Sequence, residues 1–414
     1  MSSNISITDN KHGTPELRFP SFEGEWEVKT LGDVFSRIRT KNSEDNKNVL
    51  TISAQYGLVS QTDFFNKSVA ASDVTGYYLL EKGDFAYNKS SSSGFPVGVI
   101  KPLKLYEKGV VSTLYICFRC NEPKSIGFWE QYFNAGVLDK EIQTIAQEGA
   151  RNHGLLNVPT EEFFQLKVME PTLPEQKKIA ECLSSLDDEI AAESDRLSVL
   201  KDHKKGLMQQ LFPQKGQSRP SKRFPGFSDD WSWTNGNILF EAISNKNHNS
   251  DLPILALTQD QGAVPRDAIN YTVQVSEKSI EGYKVVEVDD FIISLRSFEG
   301  GIEYSRYKGL CSPAYIVLRK RNKKLVSDFY RIYFKSYNFI QELNKNLEGI
   351  RDGKMVSYKQ FSEISLPVPP IPEQQKIADC LSSLDDEIQA QQQKVNALKE
   401  HKRALMQKLF PIIK

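Results

Sequence analysis

Two short runs of the sequence carry polar and basic side chains to where a turn would present them together. Gly83-Asp84-Phe85 is followed by Asn88, Lys89 and Ser90, and Asp289-Asp290-Phe291 by Arg296, Ser297 and Glu299, the runs being bounded by Gly94 and Gly300. On a loop, such residues can reach base edges or phosphates. A second pair of segments places Arg151 and Asn152 after Glu148-Gly149-Ala150, and Arg351, Asp352 and Lys354 after Glu348-Gly349-Ile350. Arginine suits such contacts because its planar fork makes two parallel hydrogen bonds to guanine or phosphate. Lys101–Lys108 (KPLKLYEK) and Tyr304–Gly309 (YSRYKG) add local positive charge with interleaved aromatics. Ordinary solvated loops and surface ion pairs use the same residue types, so this reading stays open beside the first.

Other chemistries find less support. Cys117-Phe118-Arg119-Cys120 has metal-ligand spacing, but no second CxxC or HxxxH completes a tetrahedral set, and the run alternates like a strand. There is no GxGxxG, no GxxxxGK[ST] and no NPPY-like tetrad, so neither a phosphate loop nor an adenine-methylating site is written here. Asp187-Asp188-Glu189 and Asp385-Asp386-Glu387 resemble a carboxylate metal cluster, yet their recurrence on an amphipathic helix favours a solvated or partner-facing surface. No metal, no cofactor and no catalytic residue is expected in this chain.

These candidates are held by a repeat. PEQKKIAECLSSLDDEI…LMQQLFP from Pro174 returns as PEQQKIADCLSSLDDEI…LMQKLFP from Pro372, an ungapped offset of 372 − 174 = 198, with about two-thirds of positions identical. Weaker echoes precede each copy: FPSFEGEW (Phe19–Trp26) with FPGFSDDW (Phe224–Trp231), and GYYLLEKGDFAY with GYKVVEVDDFII. Nearly identical helices following dissimilar domains point to one shared task and two different ones.

In the first copy Ile179, Leu183, Leu186, Ile190, Leu197 and Leu200 follow a 4-3 alternation, and in the second Ile377, Leu381, Leu384, Ile388, Val395 and Leu398 do the same. Glu193 and Lys204, then Gln391 and Lys402, are the polar interruptions. The two seams are expected to face each other as an antiparallel coiled coil relating the domains by pseudo-twofold symmetry. Each helix of about 35 residues would span about 50 Å. The domains themselves alternate short β-branched and aromatic runs with Gly, Ser, Asn and Pro clusters, which predicts strand-rich α+β folds, each with one late helix (Phe128–Gln147 and Ser327–Asn346). The expected organisation is a disordered tail over 1–15, a first domain over 16–171, a first helical spacer over 172–213 and a flexible basic linker over 214–223. A second domain over 224–369 and a second spacer over 370–412 follow.

Lys+Arg and Asp+Glu are equal at 53 each, so whole-chain charge argues for no particular partner. No apolar run approaches the roughly 20 residues of a membrane span. The polar start MSSNISITDNKHGT lacks a signal-peptide pattern, and five scattered cysteines suit a reducing compartment, so a cytoplasmic protein is expected.

The order FPxFxxxW, strand-rich domain, EGxR loop, PEQxxIAxxLxxLDxxI and long helix ending LxxxLF, present twice over about residues 16–412, resembles the specificity subunits of Type I restriction-modification systems. The resemblance implies two target-recognition domains that read the two halves of a bipartite, asymmetric site in double-stranded DNA. Lys89, Ser90, Arg151, Asn152, Arg296, Ser297, Arg351 and Lys354 are the candidate contacts. It further implies a non-catalytic chain whose helices set the half-site spacing and dock methyltransferase subunits, two per chain, with restriction-translocase subunits joining them. S-adenosylmethionine, ATP and Mg would belong to those partners. A coiled-coil scaffold with two protein-binding domains is the alternative, and a DNA reader that has lost its modification partner is another.

Overall fold

The computed structural model describes residues 6–7, 13–53, 56–65, 73–92, 94–148, 154–214, 216–269, 280–345 and 356–411. The chain divides into one unit of Met1–Ser194 with Gln393–Lys414 and another of Asp195–Gln392. The boundary therefore falls inside the long helices, Leu173–Leu211 and Ile371–Leu409, and each unit holds the start of one helix and the end of the other.

In the first unit the opening and closing strands of the domain zip together, Glu27–Thr30 against Lys167–Glu170. Thr30 then caps a short helix, its hydroxyl accepting the Asp33 N–H while the Asp33 carboxylate accepts the Thr30 N–H. The central antiparallel sheet runs Phe35–Arg37, Ile116–Cys120, Phe85–Asn88, Val99–Pro102. Its period of two separates two cores: Phe85, Tyr87 and Phe118 join Phe35, Trp129 and Phe163, whereas Ala86 and Cys117 join Leu50, Leu80 and Val111.

The second unit repeats this plan. Ser232–Asn235 pairs with Ser365–Val368, and the sheet runs Phe240–Ile243, Ile316–Lys320, Phe291–Ile293, Glu303–Tyr304. Phe291, Ile293 and Leu318 face the larger core, Ile292 and Val317 the smaller. The GDF and DDF turns also match. Buried Asp84 accepts the Glu81 N–H at 2.7 Å and binds Arg119, and buried Asp290 accepts the Glu287 N–H at 2.8 Å and binds Arg319. The residue before each must adopt positive φ, +93° at Gly83 and +73° at Asp289, a region that glycine and aspartate tolerate better than most residues.

The single late helix expected in each domain is two. Ile126–Asn134 and Asp139–Ile145 are separated by a turn, and Ser327–Tyr333 gives way to Tyr337–Asn344, where Ser336 caps the new helix by accepting the Phe339 N–H. The 214–223 linker, expected to be flexible, is tied back to the end of the first long helix: Lys222 N–H donates to Gln210 O at 3.0 Å and Gln214 Nε2 to Gln209 O at 2.7 Å. Within the expected tail, Ser6–Ile7 pairs with Leu17–Arg18.

The long helices run antiparallel where each unit shows them side by side. In the first unit Asp187 and Glu193 meet Lys402 and Lys394, at 2.6 and 2.5 Å. In the second, Lys204 meets Asp385, the same pair with the copies exchanged, and Arg196, the counterpart of Lys394, meets Glu387 instead of Gln391, the counterpart of Glu193. Seam residues divide by position. Ile179 and Leu183 are buried in the core of the first domain together with Met406, Leu409 and Phe410, and Ile377 and Leu381 in that of the second with Leu211 and Phe212. Leu197 and Val395 are buried outside both domain cores, and Leu186, Ile190, Leu200, Leu384, Ile388 and Leu398 are half-buried.

Candidate nucleic-acid interface

Lys89 follows the strand Phe85–Asn88, half-buried and without an ion-pair partner among the described residues; burial lowers the pKa of its ammonium. Its carbonyl accepts the Leu156 N–H at 3.0 Å, Ser90 bridges to Leu155, and the Ser91 N–H donates to Gly154 O at 2.7 Å. The far flank of the Glu148–Asn152 segment therefore runs alongside Lys89–Ser91. Arg151 and Asn152 lie outside the described residues.

Arg296 is exposed at the start of the short helix Ser297–Gly300. Ser297, expected as a contact, is 1% exposed and its hydroxyl accepts the Ser294 N–H at 2.8 Å, so it shapes the turn from inside. Asn344, which ends the helix leading toward the second EGxR segment, donates to Phe298 O at 2.7 Å. In both units the loop after the third sheet strand thus meets a flank of the arginine-bearing segment. Arg351 and Lys354 lie outside the described residues.

The two basic stretches do not make unpaired positive patches. Lys104 and Lys108 pair with Glu130 and Glu44 at 3.0 and 2.7 Å, Lys308 with Glu287 at 3.0 Å, and Arg306 approaches Asp328 at 4.0 Å. Lys101 donates to Asn134 Oδ1 at 2.7 Å. Lys101 apart, their charge is offset by carboxylates from other elements.

The family of Type I restriction modification DNA specificity domains matches residues 23–202 and again 232–400. The chain belongs to this family. A putative type I restriction enzyme MjaX specificity subunit of Methanocaldococcus jannaschii is 25% identical over 412 residues, covering 93% of each chain. The MjaVIII specificity subunit of the same organism is 23% identical over 419 residues, covering 95% of this chain and 93% of its own. Among solved structures, the S subunit of a Type I restriction-modification system from M. genitalium shares the fold with a TM-score of 0.56 at 15% identity, over 97% of this chain and all of that one. A chain solved in work on assembly and conformational transition of the type I R-M system gives 0.54 at 18%, over 93% and 97%. Specificity subunits are non-catalytic components of their complexes.

Each specificity domain is fastened to the start of its long helix by a buried cluster that the sequence reading missed. Arg18 donates through Nε and Nη2 to both oxygens of Glu175 at 2.8 Å, and Trp26 Nε1 donates to the same carboxylate at 3.3 Å. Arg223, Glu373 and Trp231 repeat it at 2.7–3.0 Å. A bidentate arginine with a third donor satisfies a carboxylate that could not otherwise be buried. The signal was present: Arg before Phe-Pro, Trp seven residues beyond that Phe, and Glu of Pro-Glu-Gln all recur.

Cys117 and Cys120 point to opposite faces of one strand, into different cores, and so cannot share a metal. Burial pushes their thiols up to about 12 and about 11. Asp187 and Asp385, candidates for a carboxylate cluster, are taken up by Lys402 with Gln131 and by Lys204 with Arg331. No helix among the described residues is long and apolar enough to cross a membrane.

Proposed function

We propose that the chain reads a bipartite, asymmetric site in double-stranded DNA, one half with each specificity domain, inside the cytoplasm. It would present that DNA to two adenine-methyltransferase subunits and to restriction-translocase subunits, which carry S-adenosylmethionine, ATP and Mg. The supporting observation is the pairing of unlike loops on like scaffolds. The same sheet position delivers Lys89 and Ser90 in one domain and Arg296 in the other, each beside a flank of an arginine-bearing segment. Equivalent placement with different donors is what reading two different half-sites requires, since base identity is read from the donor and acceptor pattern. Seam residues of the long helices join the copies, and their exposed faces are left for the partner subunits.

The test is co-expression with a cognate methyltransferase followed by methylation-sensitive sequencing. A gapped consensus that changes in one half alone when residues 16–171 are exchanged for another family member's domain supports the reading. An ungapped consensus overturns the bipartite reading, and none at all favours a protein-binding scaffold.

A further inference from the structure

The loop bearing Arg296 is tethered at its far end by a charged pair. Lys335, just beyond the helix Ser327–Tyr333, donates to Gly300 O at 3.0 Å and to Glu303 Oε1 at 2.6 Å. Glu303 is 4% exposed on the neighbouring strand, and its second oxygen has no hydrogen-bond partner among the described residues. Burial raises the pKa of this carboxyl and lowers that of Lys335, so each charge relies on the other.

The first domain places a different pair on the same scaffold. Lys101 lies opposite Ala86 as Glu303 lies opposite Ile292, and Asn134 follows Tyr132-Phe133 as Lys335 follows Tyr333-Phe334. There the strand carries the cation, its partner is a neutral amide, and the bond between them is the 2.7 Å contact already described. The loop of the first domain is tied instead by main-chain bonds to residues 154–156. A purely structural pair would not need its polarity reversed between two copies of one fold, nor an added contact to the loop in just one of them.

We propose that Glu303 and Lys335 form a positioning pair that fixes the Arg296 loop and sharpens discrimination at one half of the DNA site. The proposal rests on the DNA-reading function above. Lys335 supplies the donor that holds Gly300; Glu303 keeps that ammonium charged and aimed. A guanidinium displaced by about 1 Å loses the bidentate geometry on which base reading depends.

The experiment selects binders from a pool of duplexes with a randomised window, using the full chain assembled with its methyltransferase partner. Glu303→Met/Lys335→Met removes both charges together, leaving no unpaired buried ion. It should fold with a thermal midpoint close to wild type, yet lose about tenfold or more of the preference at one half-site, the size of one good base contact. Backbone exchange should rise over 296–301 and stay unchanged over 316–320. Glu303→Gln, which keeps the lysine but removes the charge that holds its ammonium charged and aimed, should also lose part of the preference and should lower the thermal midpoint more than the double variant does. An unaltered preference in the double variant, an equal loss at both halves, or a chain that no longer folds would each overturn the proposal. A wild-type selection with no gapped consensus would instead sink the DNA-reading function itself.

Discussion

The two specificity domains agree where they hold their helices and differ where they hold their loops. At the helix starts Arg18–Glu175–Trp26 and Arg223–Glu373–Trp231 match in residue types and in the three donors on the carboxylate. At the loops, Lys89–Ser91 is secured by main-chain bonds to residues 154–156, whereas Arg296–Gly300 is secured by the side chains of Ser297, Lys335 and Asn344. Main-chain tethers place few demands on residue type, while side-chain tethers are lost with one substitution. A duplicated fold can therefore keep one helix anchor in both copies and still free its reading loops to diverge.

The largest effect that could break this comparison comes from the seam. Leu183 and Leu381 are fully buried inside domain cores, so Leu183→Asp or Leu381→Asp should cost more than about 4 kcal/mol by forcing a carboxylate among aromatic side chains. Exchange mass spectrometry should show the loss in strand Ile116–Cys120 for the first variant and in Ile316–Lys320 for the second. Leu197→Asp, outside both cores, should loosen the helix pair by about 2–3 kcal/mol and leave both strands protected. If Leu183→Asp left the sheet protected, the shared core of domain and helix would be wrong.

The anchors come next. Arg18→Met strands a carboxylate that is 1% exposed and leaves the Glu23 and Gly24 carbonyls without their donor, at a cost of about 3–5 kcal/mol. Arg223 is more exposed, at 11% against 6%, and holds one main-chain carbonyl, Asp229 O, so Arg223→Met should cost less. Thermal denaturation of both variants checks the order. Arg18→Met/Glu175→Met should recover part of the loss, because removing both charges leaves none stranded.

This contrast also explains what the sequence could show. The heptad seam and its antiparallel pairing were legible because the period is local and the two copies keep one register, but the ion pairs of Asp187 with Lys402 and of Lys204 with Asp385 were not, since the acidic runs read as a solvated or partner-facing surface. The anchor was not read, since Arg18 and Glu175 are 157 positions apart, although every member recurs in both copies. The two readings of the basic stretches could not be separated for the same reason: Glu44, Glu130 and Glu287, which pair with Lys108, Lys104 and Lys308, arrive from other elements. Ser297 looked like a contact because residue type says nothing of direction, and the structure turns its hydroxyl inward. The division of each late helix depended on a turn that helical spacing on both sides conceals.

A sharper comparison lies at Gly109 and Gly309, which pack their strands against matching neighbours. A Cβ on Gly109 would lie 2.4 Å from Cδ1 and 2.7 Å from Cγ of Leu50, a buried side chain that must repack, but on Gly309 it would lie 2.5 Å from the Pro253 carbonyl oxygen, which is main chain. Gly309→Ala should therefore destabilise by about 1–3 kcal/mol and Gly109→Ala by clearly less, as thermal midpoints would show. Equal losses would mean that Leu50 is as fixed as the main chain at Pro253.

The smallest effect separates the two ion pairs of the helix seam. Lys402→Ala leaves Asp187 with the Gln131 amide, at 2.9 Å, whereas Lys204→Ala leaves Asp385 with the Arg331 guanidinium, at 3.4 Å. Both pairs are partly open to solvent, so each is worth about 0.5–1 kcal/mol, diminished by salt. Because a cation remains in ion-pair contact with Asp385 and, among the described residues, Lys402 alone makes such a contact with Asp187, Lys402→Ala should be the more damaging of the two. Thermal midpoints at low salt should show that order, and the gap should shrink at 1 M NaCl. A reversed order would mean that the Arg331 contact counts for nothing, and that the two copies of the seam share a register without sharing an electrostatic environment.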